Sequence, residues 1–396
     1  MTRIVFAVSL LLAIVDAALA AEIRLGPETA VTPGWRLAQT SVRVAHRGNH
    51  EISVWSDQQS HLLASANGIV ISAGTLGRSF DSPNLVTLAV AASDSNFLVV
   101  WYDTTNRMLA QRVTFDGQVL DTPPIILSAD SPGSPSIASD GSTYLVSWCA
   151  ASSVFTLRLA SDGTIRSRST FVTPTNVYTG GYPMSPKVAW TGDRFFLGYV
   201  LSYASCTSPC TSWSDIGGTP LDATGQPSPL KLFAYLFGFD QGFEPYTTSL
   251  ALASGGGNVT FVWWTNRDEM IAVAQANADG NPIAEPRTVA KAQRSNDYCP
   301  ITPAIGWDGA EFVVAWIDCD ATLRALRLNP LGSPMEEPFE VASNVPRALA
   351  GPSIAQTPDG VVIVYSRPDA SNGNAPRAFE RSLARLPPPR RRVVSH

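Results

Sequence analysis

Short apolar runs alternate with turn residues along the chain, and one arrangement recurs. A strand led by proline or a small residue reaches Asp-Gly or a similar pair, and a second, more apolar strand ends in an aromatic. The clearest copies run from Pro135 to Trp148 and from Pro303 to Trp316. Pro186 to Tyr199 and Pro352 to Tyr365 repeat the pattern, and weaker copies end at Trp55, Trp101 and Trp264. The terminal aromatics are therefore spaced by 46, 47, 51, 65, 52 and 49 residues. A period of this length means a repeat architecture, and four strands per unit predict a propeller.

In the second unit the pattern predicts strand A over Leu85–Ala91, B over Asn96–Trp101, C over Met108–Thr114 and D over Val119–Leu127. Phe115-Asp116-Gly117 joins C to D, and the same turn returns as Ser161-Asp162-Gly163, Ala278-Asp279-Gly280 and Leu331-Gly332. Asp-Gly suits the positive φ of tight hairpin turns. The B strands are apolar on both faces, as in Phe97 to Trp101, which fits a strand sandwiched between stacked blades. The seventh unit supplies A (Gly351–Gln356), B (Val361–Tyr365) and C (Arg377–Ala384). It then enters a Pro- and Arg-rich run from Leu386 that cannot form a ladder strand. At the other end, Ile23–Val31 belongs to no unit. The expectation is an all-β, seven-bladed β-propeller of four-stranded antiparallel blades. Its N-terminal strand pairs with Arg377–Ala384 and removes the open edge of the last blade. Six or eight blades are the alternatives if a weak unit is misread.

Gln111 to Asp121 and Tyr144 to Trp148 carry a resemblance to the repeats of secreted bacterial β-propellers. It extends over nearly the whole mature chain and implies fold and export, but no chemistry. The Asp-box of sialidases and the WD-repeat signature are missing, and one Tyr178-Thr179-Gly180-Gly181-Tyr182 is not a Kelch series.

Composition adds limits. The formal net charge is −5 and charged residues make up 15%, against about 25% in an average soluble protein. That balance excludes the basic stripe of a nucleic-acid binder. Met1-Thr2-Arg3, the apolar Ile4–Val15 and Ala18-Leu19-Ala20 together read as a secretory signal peptide. No later stretch approaches the ~18 apolar residues of a membrane-spanning helix. The expected organisation is a signal peptide over 1–20, a propeller over 21–385 and a disordered Pro/Arg-rich tail over 386–396. The expected product is a secreted, periplasmic or extracellular monomer.

Long loops on a rigid scaffold are where binding concentrates. Val172–Pro186, Val200–Ile216 and Leu232–Thr247 are long D–A or B–C connections of units three to five, expected to converge at one mouth of the channel. Tyr178, Tyr182, Trp213, Phe239, Phe243 and Tyr246 are the expected ligand residues, suited to stacking on sugar rings or capturing a peptide. Phe233, Tyr235 and Phe237 read better as an ordinary buried strand. Asp57, Asp103 and Asp318 each follow a B-strand aromatic by two positions, and Asn266 is a polar variant. They form either a carboxylate ring for a cation or basic ligand, or side-chain bonds to backbone amides in the B–C turns. Their repetition favours the turns.

His46 and His50 sit in a hairpin at the opposite mouth, and no metal site is expected. His61, Arg107, Arg267, Asp268 and Glu269 are candidates for an acid–base site, against the plainer reading of solvated turn charges. No nucleophile elbow, phosphate loop or dinucleotide fingerprint occurs, and no cofactor is expected. The expected function is binding of a glycan or protein ligand through the aromatic loops. A polysaccharide lyase or glycoside hydrolase at the channel mouth, and a structural cell-envelope module, are the alternatives.

Five cysteines in an exported chain leave at least one outside a bridge. Cys299 and Cys319 lie at equal distances from Gly309, the tip of the unit-six hairpin. Opposed positions of an antiparallel pair lie about 4.5–5.5 Å apart at Cα, within reach of a disulfide. Cys206 and Cys210 enclose Thr207-Ser208-Pro209 and are expected to form a second, local bridge. That leaves Cys149 as a buried thiol.

Overall fold

The computed structural model describes residues 23–385, apart from 58–60, 67–68, 76–87, 130–132, 151–152, 173–181, 206–210, 239–248, 266–269, 293–300 and 347–349. Strands β1 (Ile23–Leu25) and β2 (Thr29–Ala30) precede the first blade. Blade one is β3 (Thr40–Arg47), β4 (His50–Ser56), β5 (His61–Ala66) and β6 (Ile69–Thr75). Blade two is β7 (Leu88–Ala92), β8 (Asn96–Tyr102), β9 (Met108–Thr114) and β10 (Ile125–Ser128). Blade three is β11 (Ser136–Ser139), β12 (Thr143–Ala150), β13 (Ser153–Ala160) and β14 (Ile165–Val172). Blade four is β15 (Tyr182–Trp190), β16 (Phe195–Ser205), β17 (Thr211–Pro220) and β18 (Lys231–Gly238). Blade five is β19 (Leu250–Gly255), β20 (Asn258–Thr265), β21 (Met270–Asn277) and β22 (Pro282–Lys291). Blade six is β23 (Ala304–Trp307), β24 (Phe312–Ile317), β25 (Leu323–Leu328) and β26 (Phe339–Ala342). Blade seven takes β27 (Ser353–Thr357), β28 (Gly360–Asp369) and β29 (Ala375–Arg385) from the end of the chain, with β1 and β2 as its outer edge. The fold is a seven-bladed propeller closed by its N-terminal strand.

The blades stack because the second strand of each is greasy on both sides. Seven clusters of buried side chains fill the wedges between successive blades. Trp55, Trp101, Trp148, Tyr199, Trp316 and Tyr365 are buried, each on the face toward the preceding blade. Blade five corrects the sequence reading. Its equivalent aromatic is Trp263, which packs toward blade four, whereas Trp264 faces blade six. Two adjacent tryptophans look alike in sequence, but alternation sends them to opposite faces.

The motif behind the family resemblance is scaffolding. Arg112 clasps Asp121 with Nη2–Oδ1 at 2.7 Å and donates from Nη1 to the Ser161 carbonyl of blade three at 3.0 Å. Arg327 and Glu336 repeat the clasp in blade six, at 2.6 Å. The C–D turns carry glycines at positive φ, among them Gly117 at 88° and Gly163 at 90°.

Closure follows the expected register, with Ile23 opposite Arg385, Leu25 opposite Leu383 and Ala30 opposite Phe379. Between β1 and β2, Glu28 accepts hydrogen bonds from Tyr365 and Arg367. The same seam holds a pair of neighbouring carboxyl groups. Burial, then the charge and hydrogen bond of Glu380, push the Glu51 carboxyl up to about 8, and Glu380 also accepts from Thr29 Oγ1 at 3.1 Å. The folded protein keeps this proton to a higher pH than the unfolded chain does. Its stabilising effect is therefore complete below about pH 4.5 and lost as pH rises through about 8. The melting temperature should decline across that window in wild type. Glu51→Gln should flatten the decline, and an unchanged slope in the variant would remove the seam pair as its source.

Candidate functional site

The B–C turns come first because three candidate carboxylates lie there. The amide of Asp57 donates to the His61 carbonyl, that of Asp103 to Arg107 and that of Asp318 to Thr322. Asp103 Oδ1 accepts from the amides of Thr105 and Arg107 at 2.9 Å, and its Oδ2 accepts from Arg107 Nη2 at 2.6 Å. Burial works against its charge, but these donors outweigh it and hold Asp103 below the usual carboxylate range. Asp57 Oδ1 accepts from the His61 amide, and its Oδ2 lies 2.8 Å from His61 Nδ1. Asp318 accepts from Arg324 Nε at 3.0 Å. All three carboxylates are buried. They brace the B–C turns. Arg107 and His61 are engaged in the same turns.

The aromatic candidates divide. Tyr178, Phe239, Phe243 and Tyr246 lie outside the described residues, as do Arg267, Asp268 and Glu269. Tyr182 and Trp213 do not stand in long loops. Blade four extends its ladder through most of Val200–Ile216, so Tyr182 opens β15 opposite Ser202, and Trp213 lies in β17. Tyr203, Trp213 and Phe237 occupy directly opposed positions of β16, β17 and β18, which places all three on one face of the sheet. The next position on that face holds Leu201, Asp215 and Tyr235 in the same order. Leu201 belongs to the cluster between blades three and four, so this is the face toward blade three.

Asp215 is the residue that the sequence reading missed. It is 6% exposed. Among the described residues it has neither a hydrogen bond nor an ion pair, and burial alone pushes its carboxyl up to about 6. Shifted groups of this kind cluster at functional sites. One sequence signal was available. Trp213-Ser214-Asp215 repeats Trp55-Ser56-Asp57 in a strand instead of at a turn. Blade four also needs its glycines. A Cβ on Gly218 of β17 would stand 2.8 Å from Phe196 and 2.9 Å from Phe261 of blade five.

At the other mouth, His46 lies opposite Glu51 and His50 opposite Arg47, and the His50 ring stacks on Phe115 of blade two at 4.3 Å. Among the described residues no group of three His, Cys, Asp or Glu side chains could hold a metal ion, and no helix is long and apolar enough to cross a membrane. Cys206, Cys210 and Cys299 lie outside the described residues, and no disulfide joins two described cysteines. Cys319 is disulfide-bonded to a sulfur beyond them. Cys149 is a thiol, half-buried where full burial was expected.

No protein-family profile matches the chain, and no curated protein matches it by sequence. Solved structures do match in fold. The BP39L lectin from Burkholderia pseudomallei aligns with a TM-score of 0.52 at 12% identity, over 86% of this chain and 98% of the lectin. The WD40 domain of coronin from Toxoplasma gondii aligns with a TM-score of 0.50 at 12% identity, over 93% of this chain and 89% of that domain. At this identity the likeness concerns the fold alone.

Proposed function

We propose that the protein is an exported glycan-binding propeller that takes a saccharide at the mouth-side end of blade four. The observation behind this reading is Asp215, a buried carboxyl without a partner beside the opposed aromatic positions Tyr203, Trp213 and Phe237. A sugar brings hydroxyl donors that a carboxylate can accept, and C–H faces that suit aromatic rings. A lectin shares the fold, which leaves the choice of ligand to the site.

A glycan array probed with the mature chain tests the reading. Trp213→Ala and Asp215→Asn should each weaken binding to the best-bound glycan roughly tenfold or more, with the far-UV spectrum unchanged. Full retention of binding in both folded variants would move the site elsewhere. One observation favours a glycoside hydrolase at the same place, namely the elevated carboxyl of Asp215, which suits a general acid. A hydrolase would release reducing sugar from the bound glycan and lose that activity in Asp215→Asn, whereas a lectin would release none. Export is tested by sequencing the N-terminus of the protein recovered outside the cytoplasm, which should begin near Ala21.

A further inference from the structure

The inner strands of the seven blades line the channel with equivalent positions. One of these lies opposite the residue that precedes the buried aromatic in every blade. It is Arg43 in blade one and Lys187 in blade four. In the other blades it is small: Ala89, Ser136, Ala251, Ala304 and Ser353. This tier therefore carries two cations and no acid. The two serines face the backbone of the next blade, where Ser136 Oγ accepts from the Val188 amide at 3.1 Å and Ser353 Oγ from the Val44 amide at 3.3 Å. The strand edges beside both cations are thereby satisfied without using the cations.

Neither cation has a carboxylate. Arg43 donates only to carbonyls, those of Val42 at 2.8 Å and Gly351 at 3.4 Å. Lys187 has no hydrogen bond or ion pair among the described residues. Blades one and four are three places apart in a ring of seven, so the two side chains approach from nearly opposite walls. They are close enough that Arg43 acts electrostatically on Lys187. Burial first, and then the charge of Arg43, draw the Lys187 ammonium down to about 8, with Cys149 acting in the opposite sense. Burial draws Arg43 down to about 10. Two like charges facing one channel are stabilised by an anion between them.

We propose that this tier of the channel is an oxyanion site, in which Arg43 and Lys187 grip a phosphate, sulfate or carboxylate group from opposite walls. The guanidinium offers a fork to two oxygens and the ammonium a point charge to a third. Ala89, Ala251 and Ala304 add no long side chain to the tier. Its source is either a free inorganic anion or the acidic group of a sugar acid, and the same chemistry serves both.

Isothermal titration in an anion-poor buffer tests the site, with inorganic phosphate, sulfate and glucuronate as separate probes. Saturable binding of one anion per chain is expected for at least one probe. Stronger binding of phosphate or sulfate would assign the site to free anions, and stronger binding of glucuronate to sugar acids. Lys187→Gln and Arg43→Gln should weaken binding by roughly tenfold or more, and Lys187→Arg should retain it. If the glutamine variants fail to fold, the wild-type protein still decides. The Lys187 ammonium, followed by nuclear magnetic resonance, should titrate at higher pH once the anion is added. The absence of saturable binding by any probe, undiminished affinity in folded Lys187→Gln, or an unmoved Lys187 titration would overturn the proposal.

Discussion

Removing residues 22–33 should destabilise the whole ring, by on the order of 5 kcal/mol. The segment supplies both outer strands of blade seven, and without it the free edge of β29 is open to solvent and to other chains. Its loss also strips the shared carboxylate from Arg367 and Tyr365, because both donate to Glu28. Hydrogen bonds to a charged group contribute about 1.5–3 kcal/mol each, and the lost ladder adds to them. With an unfolding entropy of about 2 cal/mol/K per residue, a loss of this size lowers the melting temperature of so long a chain by roughly 6 °C. Glu28→Ala alone should reproduce a smaller part of the fall. Calorimetry of the truncated chain checks this. An unchanged melting temperature would mean that the seam contributes nothing to closure.

The second large effect concerns sulfur. Cys319 follows β24 directly after the buried Asp318 and packs against the cluster between blades five and six. It is disulfide-bonded, and its expected partner is Cys299, at the other end of the same hairpin. In the chain-entropy account, a bridge closing a loop of about 20 residues contributes roughly 3 kcal/mol. Cys319→Ser should lose that amount, and adding a reductant should lower the melting temperature of wild type but not of the variant. Peptide mapping without reduction should recover Cys299 and Cys319 in one linked fragment. A Cys319 linked to Cys206 or Cys210 would refute the pairing and the register behind it.

The propeller was legible because its signals are local and repeated. Asp308-Gly309 and Asp140-Gly141 announce tight turns, and an aromatic closes each following strand. The spare strand at Ile23 and the Pro-rich end at Leu386 then forced the splice. What sequence could not show was which way each residue faces. Trp263 and Trp264 exchange roles because only the stacking of blades tells them apart. Val200–Ile216 reads as a connection from its sequence, since its serines and threonines hide a ladder that its neighbours impose. The sequence reading passed over Asp215, whose lack of a partner belongs to the folded state alone. Arg43 and Lys187 lie 144 positions apart in the numbering and share a tier only once strand register is known.

The closing seam also governs the order of events while the protein is made. Thr29 and its partner Glu380 are 351 residues apart in the chain. At synthesis rates of about 5–20 residues per second, the first of them waits roughly 20–70 s for the second. Six blades can assemble from neighbours in sequence as they emerge, but the seventh joins segments that emerge far apart in time. Until it forms, the chain is an open arc with an exposed strand edge at each end, and it is most vulnerable to proteases and to pairing with other chains during that interval. Closure thus acts as a completeness check, because a chain cut short before β29 has nothing to offer its own beginning.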